Sequence, residues 1–132
     1  MKALMMLLLA LSLPALATAQ EADKAAPKVS YVTLVPAFVG NFGNGPRMKF
    51  YKADLSLRVP NPEAEAKVKH HEPLIRNQLV MLFSQQTEES MSAPGAREAL
   101  RTEALKQVQG VLTQEEGQPL VEDLLFNNLI VQ

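Results

Sequence analysis

The sequence predicts one α+β domain, and three observations carry that prediction. Two runs rich in β-branched and aromatic residues, Ser30 to Phe42 and Arg47 to Val59, flank the turn-forming Gly43-Asn44-Gly45-Pro46. Two later stretches, one running to Phe83 and one from Pro94 to Gln114, place apolar residues at helical spacing. An apolar run, Val121 to Gln132, closes the chain. With no internal repeat, the coarse order is β-β-α-α-β in a single α+β layer structure.

In the first run, Tyr31 to Val35 precede Pro36, which has no ladder N–H, so this strand belongs near an edge or a bend. The second run alternates from Ala53 onward: Ala53, Leu55, Leu57 and Val59 are apolar, and Asp54, Ser56 and Arg58 are polar. Period two means that one face is buried and the other wet. The pair reads as an N-terminal β-hairpin.

Pro60-Asn61-Pro62 stops the strand, and Asn61 is placed to cap a helix with Pro62 in its first turn and Glu63 and Glu65 near its positive end. Val68, Leu74, Ile75, Leu79, Leu82 and Phe83 form the expected buried face. Pro73 lies mid-run and kinks the helix or splits it at His71-Glu72. Ser84 to Ala93 is polar, with Thr87 to Ser90 resembling a short capped turn. In the second main helix Leu100, Ala104, Val108, Val111 and Leu112 make the core stripe, while Arg97, Glu98, Arg101, Glu103 and Lys106 read as a solvated face. Gly117 and Pro119 end it. The closing run carries apolar residues on both parities, the pattern of a strand buried on both sides.

The start of the chain has the layout of a secretory signal peptide: Met1-Lys2, an apolar run from Ala3 to Leu13, and a small-residue tail ending Ala17-Thr18-Ala19. A spanning helix needs about 20 apolar residues, and Pro14 interrupts this run well short of that. Residues 1–19 are therefore expected to be a signal peptide cut between Ala19 and Gln20, with a short membrane anchor as the other reading. Residues 20–29 suit a flexible leader, and 30–132 the domain. Removing residues 1–19 takes one Lys and no acid, so the formal charge moves from -1 to about -2, which gives no footprint for nucleic acid. Cysteine is absent, which excludes disulfides and thiolate catalysis.

Chemistry is scarce. His70 and His71 are adjacent, whereas two metal ligands on one helix want i,i+4 spacing, so no metal site is expected. One of the two is expected to satisfy backbone groups freed by Pro73, the other to face water. The carboxylate pairs Glu63/Glu65 and Glu88/Glu89 sit at helix starts, where acids complement the dipole. No G-x-S-x-G elbow and no phosphate loop occurs. The expectation is a non-enzymatic protein with no catalytic residues, cofactor or small-molecule substrate. The residues that stand out are structural or interaction candidates: Pro73 at the break, and Arg76 and Asn77 inside an apolar helix. Arg76 either snorkels at the surface or makes a fixed contact to a carboxylate or carbonyl, within the fold or across a subunit boundary.

Taken in order, these segments resemble the FliL family of flagellar basal-body proteins. The matching residues are Tyr31-Val32-Thr33-Leu34-Val35-Pro36 with Phe38, Tyr51 to Leu57 leading into Asn61-Pro62-Glu63-Ala64, and His71-Glu72-Pro73-Leu74-Ile75-Arg76-Asn77. Pro94, Arg97 to Leu100, and Val121 to Gln132 complete the match. The resemblance implies a stomatin-like (SPFH) domain on the periplasmic side of the inner membrane. It implies a homo-oligomer, ring-shaped in one version, beside the stator or other basal-body proteins, supporting rotation, swimming, swarming and chemotactic motility. A periplasmic envelope adaptor of the same fold, unrelated to the motor, is the alternative. Family members carry a basic cytoplasmic stub and a retained membrane helix, whereas the start here is short and signal-like. Ala93 stands where a Thr N-cap is usual, a change expected to weaken that helix start by ~1 kcal/mol.

Overall fold

Sheet and helices form two layers in the computed structural model, which describes residues 29–132. The expected signal segment, the Ala19/Gln20 junction and the leader through residue 28 lie outside the described residues. Strands β1 (Ser30–Thr33), β2 (Phe38–Phe42) and β3 (Lys49–Val59) precede helices α1 (Pro62–His70), α2 (Glu72–Ser84), α3 (Glu88–Ser92) and α4 (Ala96–Glu116), and β4 (Asp123–Val131) follows.

Strand β3 is the centre of the sheet, and all its pairings are antiparallel. One edge takes β1, with Thr33 opposite Ser56, and then β2, with Phe38 opposite Ala53. β1 and β2 thus run end to end as one edge strand, interrupted where the Val35-Pro36 bond is cis. That matches the bend expected at Pro36. The other edge takes β4, whose register shifts between Asp54 and Leu55 so that Asn127 is bulged out.

The expected β-hairpin is β2–β3. Tyr51, Ala53, Leu55, Leu57 and Val59 are buried under the helices, as period two requires. Asn61 accepts a hydrogen bond from the Ala64 N–H at 2.8 Å, which confirms the cap. Pro73 splits the helix: His71, with φ -96° and ψ 10°, ends α1 and precedes α2. Helix α2 packs on α4 and β2, α4 on β4, and α1 on β1. Val68, Ile75, Leu79, Ala104, Val108, Leu112 and Leu124 are fully enclosed, each larger side chain contributing about 1.5–3 kcal/mol of burial.

Several expectations are corrected. Leu74 is exposed, because the break at His71 orients α2 by Ile75, Leu79, Leu82 and Phe83, and Leu74 falls outside their arc. The capped turn expected at Thr87 to Ser90 is present, its reciprocal hydrogen bonds both 2.9 Å, but it opens a short helix, α3, in a segment expected to hold none. Ala93 ends α3 rather than starting α4, whose N-cap is Gly95 at φ 75°. Finally, β4 is an edge strand with one covered face and several exposed residues, not a strand buried on both sides. Its two apolar parities have another cause: Leu124 and Phe126 face the core before the bulge, and Leu129 after it.

Candidate functional site

Helix α2 owes its position to one side only. Ile75, Leu79, Leu82 and Phe83 are buried, and Phe83 is the hub of an aromatic cluster with ring centroids 5.7 Å from Phe38, 5.3 Å from Tyr51 and 6.3 Å from Phe126. Its outward residues, Pro73, Leu74, Asn77, Val80, Met81 and Ser84, include no charge. Leu74, Val80 and Met81 are 45%, 43% and 47% exposed, so an apolar stripe faces solvent where a surface helix ordinarily carries Lys or Glu.

Arg76 borders this stripe. Its guanidinium carbon lies 4.1 Å from the centroid of Phe38, a cation–π stack, and Nη1 is buried with no acceptor among the described residues. The side chain neither snorkels freely nor holds a carboxylate within the fold. Asn77 is exposed, its amide 3.9 Å from Met81 Sδ on the next turn. Pro73 is exposed at the start of α2. The three expected candidates therefore lie on one helix, with Arg76 stacked on the sheet and Pro73 and Asn77 outward.

The histidines divide in a way that differs partly from expectation. His70 faces solvent, but His71 uses Nε2 on Glu116 Oε1 at 3.2 Å, tying the α1–α2 junction to the end of α4 instead of serving backbone groups. Among the described residues no three His, Asp or Glu side chains come together as a metal site. A cleft of about 290 Å³ is lined by Phe42, Lys49, Glu88, Met91, Ser92, Val131 and Gln132, and its Lys49–Glu88 ion pair spans 3.8 Å. That pair is half-exposed, a weak surface bridge. Burial raises the Tyr51 phenol above 10.0, a shift opposed by its hydrogen bond to Ser84.

The uncovered sheet face is a second surface. Tyr31, Val39, Phe50, Leu125 and Ile130 are exposed on it, around Ser56, whose hydroxyl is held by Thr33 at 3.0 Å and Asn127 at 2.8 Å. The free edge of β4 is the third. Arg101 binds Glu98 and Asp123 and donates to the Leu124 carbonyl at 3.4 Å, and Arg97 donates to the Phe126 carbonyl at 3.4 Å. The expected solvated face of α4 thus protects an edge, a role that helical periodicity gives no way to see.

A family model described as "Flagellar basal body-associated protein FliL" matches residues 31–132. The chain belongs to the FliL family. A "Flagellar protein FliL" of Aquifex aeolicus (strain VF5) is 28% identical over 99 residues, which cover 75% of this chain and 59% of that relative. The chain thus matches about three-fifths of the length of this curated FliL relative. FliL proteins are flagellar accessory proteins associated with the basal body. Among its described residues no helix is long and apolar enough to cross a membrane.

Proposed function

We propose that this FliL-family protein is a non-enzymatic part of the flagellar motor that acts by association. It is exported by residues 1–19, with cleavage between Ala19 and Gln20 favoured over a retained anchor. Its domain, of stomatin-like (SPFH) type, then stands at the outer face of the inner membrane. There it associates with copies of itself near the stator and supports rotation, swimming, swarming and chemotactic motility.

The observation that carries this reading is the uncharged outward face of α2 beside the Arg76 guanidinium. An exposed apolar stripe suits a protein contact. The Arg76 guanidinium is half-buried, and its exposed N–H groups can donate charge-assisted bonds to a carboxylate or carbonyl of a partner. Deletion of the coding sequence tests the motor assignment. Reduced swarm diameter in soft agar and slower swimming in viscous medium are expected, both restored by the full chain. Unchanged motility in both media, with envelope partners recovered only outside the motor, would favour the adaptor reading instead.

A further inference from the structure

The free edge of β4 is protected along only half its length. Phe50 and Gln132 exchange backbone hydrogen bonds at 2.8 and 2.9 Å, which sets the phase of the ladder. Asn128 and Ile130 therefore turn their backbone groups toward β3, and Leu129 and Val131 turn theirs outward. Before the bulge the outward groups belong to Leu124 and Phe126. There Asp123 Oδ1 accepts the Leu124 N–H at 2.8 Å, and Arg101 and Arg97 donate to the two carbonyls. Among the described residues no such side chain reaches Leu129 or Val131. From Leu124 to Gln132 the strand has no charge and no proline, the devices that ordinarily blunt an edge.

We infer that residues 128–132 pair antiparallel with the same residues of a second copy, about a two-fold axis at Ile130. This inference rests on the self-association proposed above and gives it a second surface beside the outward face of α2. The open segment is self-complementary. With Ile130 opposite Ile130 of the partner subunit, the N–H and C=O of Leu129 meet the C=O and N–H of Val131 of the partner subunit, and the reverse. Ile130 then occupies a non-hydrogen-bonded pair, where cross-strand side chains approach most closely.

The register also explains why half the edge is capped. In it, the overlap is confined to residues 128–132 of the two β4 strands, and Asp123 to Phe126 of each copy lie outside it, so the arginine caps stay in place. A longer partner strand, covering the whole edge, would have to displace both arginines. Only a short overlap is open, and two copies supply that overlap to each other symmetrically.

The chain has no cysteine, so a single one reports on this contact without interference. Non-hydrogen-bonded strand pairs have Cα atoms about 4.5 Å apart, within the range a disulfide bridges. In the full-length chain in isolated envelopes, Ile130→Cys is expected to form a disulfide-linked dimer on mild oxidation. Tyr31→Cys, exposed on the same sheet face but on the opposite edge strand, is expected to remain monomeric. Adding Val131→Pro to Ile130→Cys removes an outward N–H from each copy without touching the β3 ladder, and is expected to lower dimer yield by about tenfold or more. Protease resistance of the domain, unchanged in that variant, confirms that it folds.

Three results would overturn the inference. Ile130→Cys remaining monomeric while a lysine-reactive cross-linker still gives multimers places self-association on another surface. No multimer with either reagent removes the self-association itself. Dimerisation at Ile130→Cys that Val131→Pro leaves unchanged excludes backbone pairing.

Discussion

Asn127 donates its side-chain amide to Ser56 Oγ at 2.8 Å, from the bulged position of β4 to the central strand. The same hydroxyl meets Thr33 Oγ1 at 3.0 Å, so one buried Ser on β3 links both edge strands across the open sheet face. The bulge switches which parity of β4 faces the core, and this contact holds the switch in place. Ser56→Ala or Asn127→Ala is expected to cost about 1 kcal/mol each. In a double-mutant cycle the two losses should be less than additive, which thermal unfolding of the three variants checks.

Gly40 makes room for the aromatic cluster. A methyl built on it would lie 2.7 Å from the Tyr51 hydroxyl and 2.9 Å from the ring, and that ring is enclosed against Phe83. Gly40→Ala is expected to destabilise the fold by about 1–3 kcal/mol through overpacking. Adding Tyr51→Phe removes the closest of these atoms, so it should recover part of the loss in a denaturant titration.

Tyr51 also gives the fold an alkaline limit. Its phenol is raised above 10.0 in the folded state, so the fold holds this proton more tightly than the unfolded chain does. The associated stability is fully present below pH 10 and is lost as pH rises through the folded value. Unfolding midpoints followed from about pH 8 to 11 should fall more steeply for the wild type than for Tyr51→Phe.

Arg97 and Arg101 act on solubility more than on the core. Glu98 is held below its ordinary pKa by the hydrogen bond from Arg101, and together with Asp123 it fixes that guanidinium over the strand edge. Replacing both arginines with Ala uncovers the Leu124 and Phe126 carbonyls. Concentration-dependent light scattering should rise well before any change in helical circular dichroism appears.

Much of this architecture was legible because it rests on local chemistry. Asn61 with Pro62 marks a helix start, Pro73 a break, and Ala53 to Val59 a strand with one wet face, each from neighbours a few residues away. The readings that failed depend on distant partners. Both parities of Leu124 to Val131 are apolar because one bulge moves the core face from Leu124 and Phe126 to Leu129 and because Leu125 and Ile130 are apolar on the open face, and no sequence period reveals either. Leu74 sits one residue from the buried Ile75, and only the orientation fixed at His71 decides which of them is inside. Arg97 and Arg101 look like any charged helix face until β4 arrives beside them. Of the candidate site, Arg76 and Asn77 stood out as polar residues within an apolar helix, yet the stack on Phe38 joins two segments separated by most of the sheet.

The most direct test of the central claim is swimming speed in viscous medium for cells whose single copy carries Val80→Glu with Met81→Glu. Both positions are exposed, so the domain should fold and accumulate normally, while two new charges disrupt association through α2. Speed reduced to that of the deletion strain, at unchanged protein level, is the expected result. Wild-type speed at that protein level would contradict a role exerted through this surface.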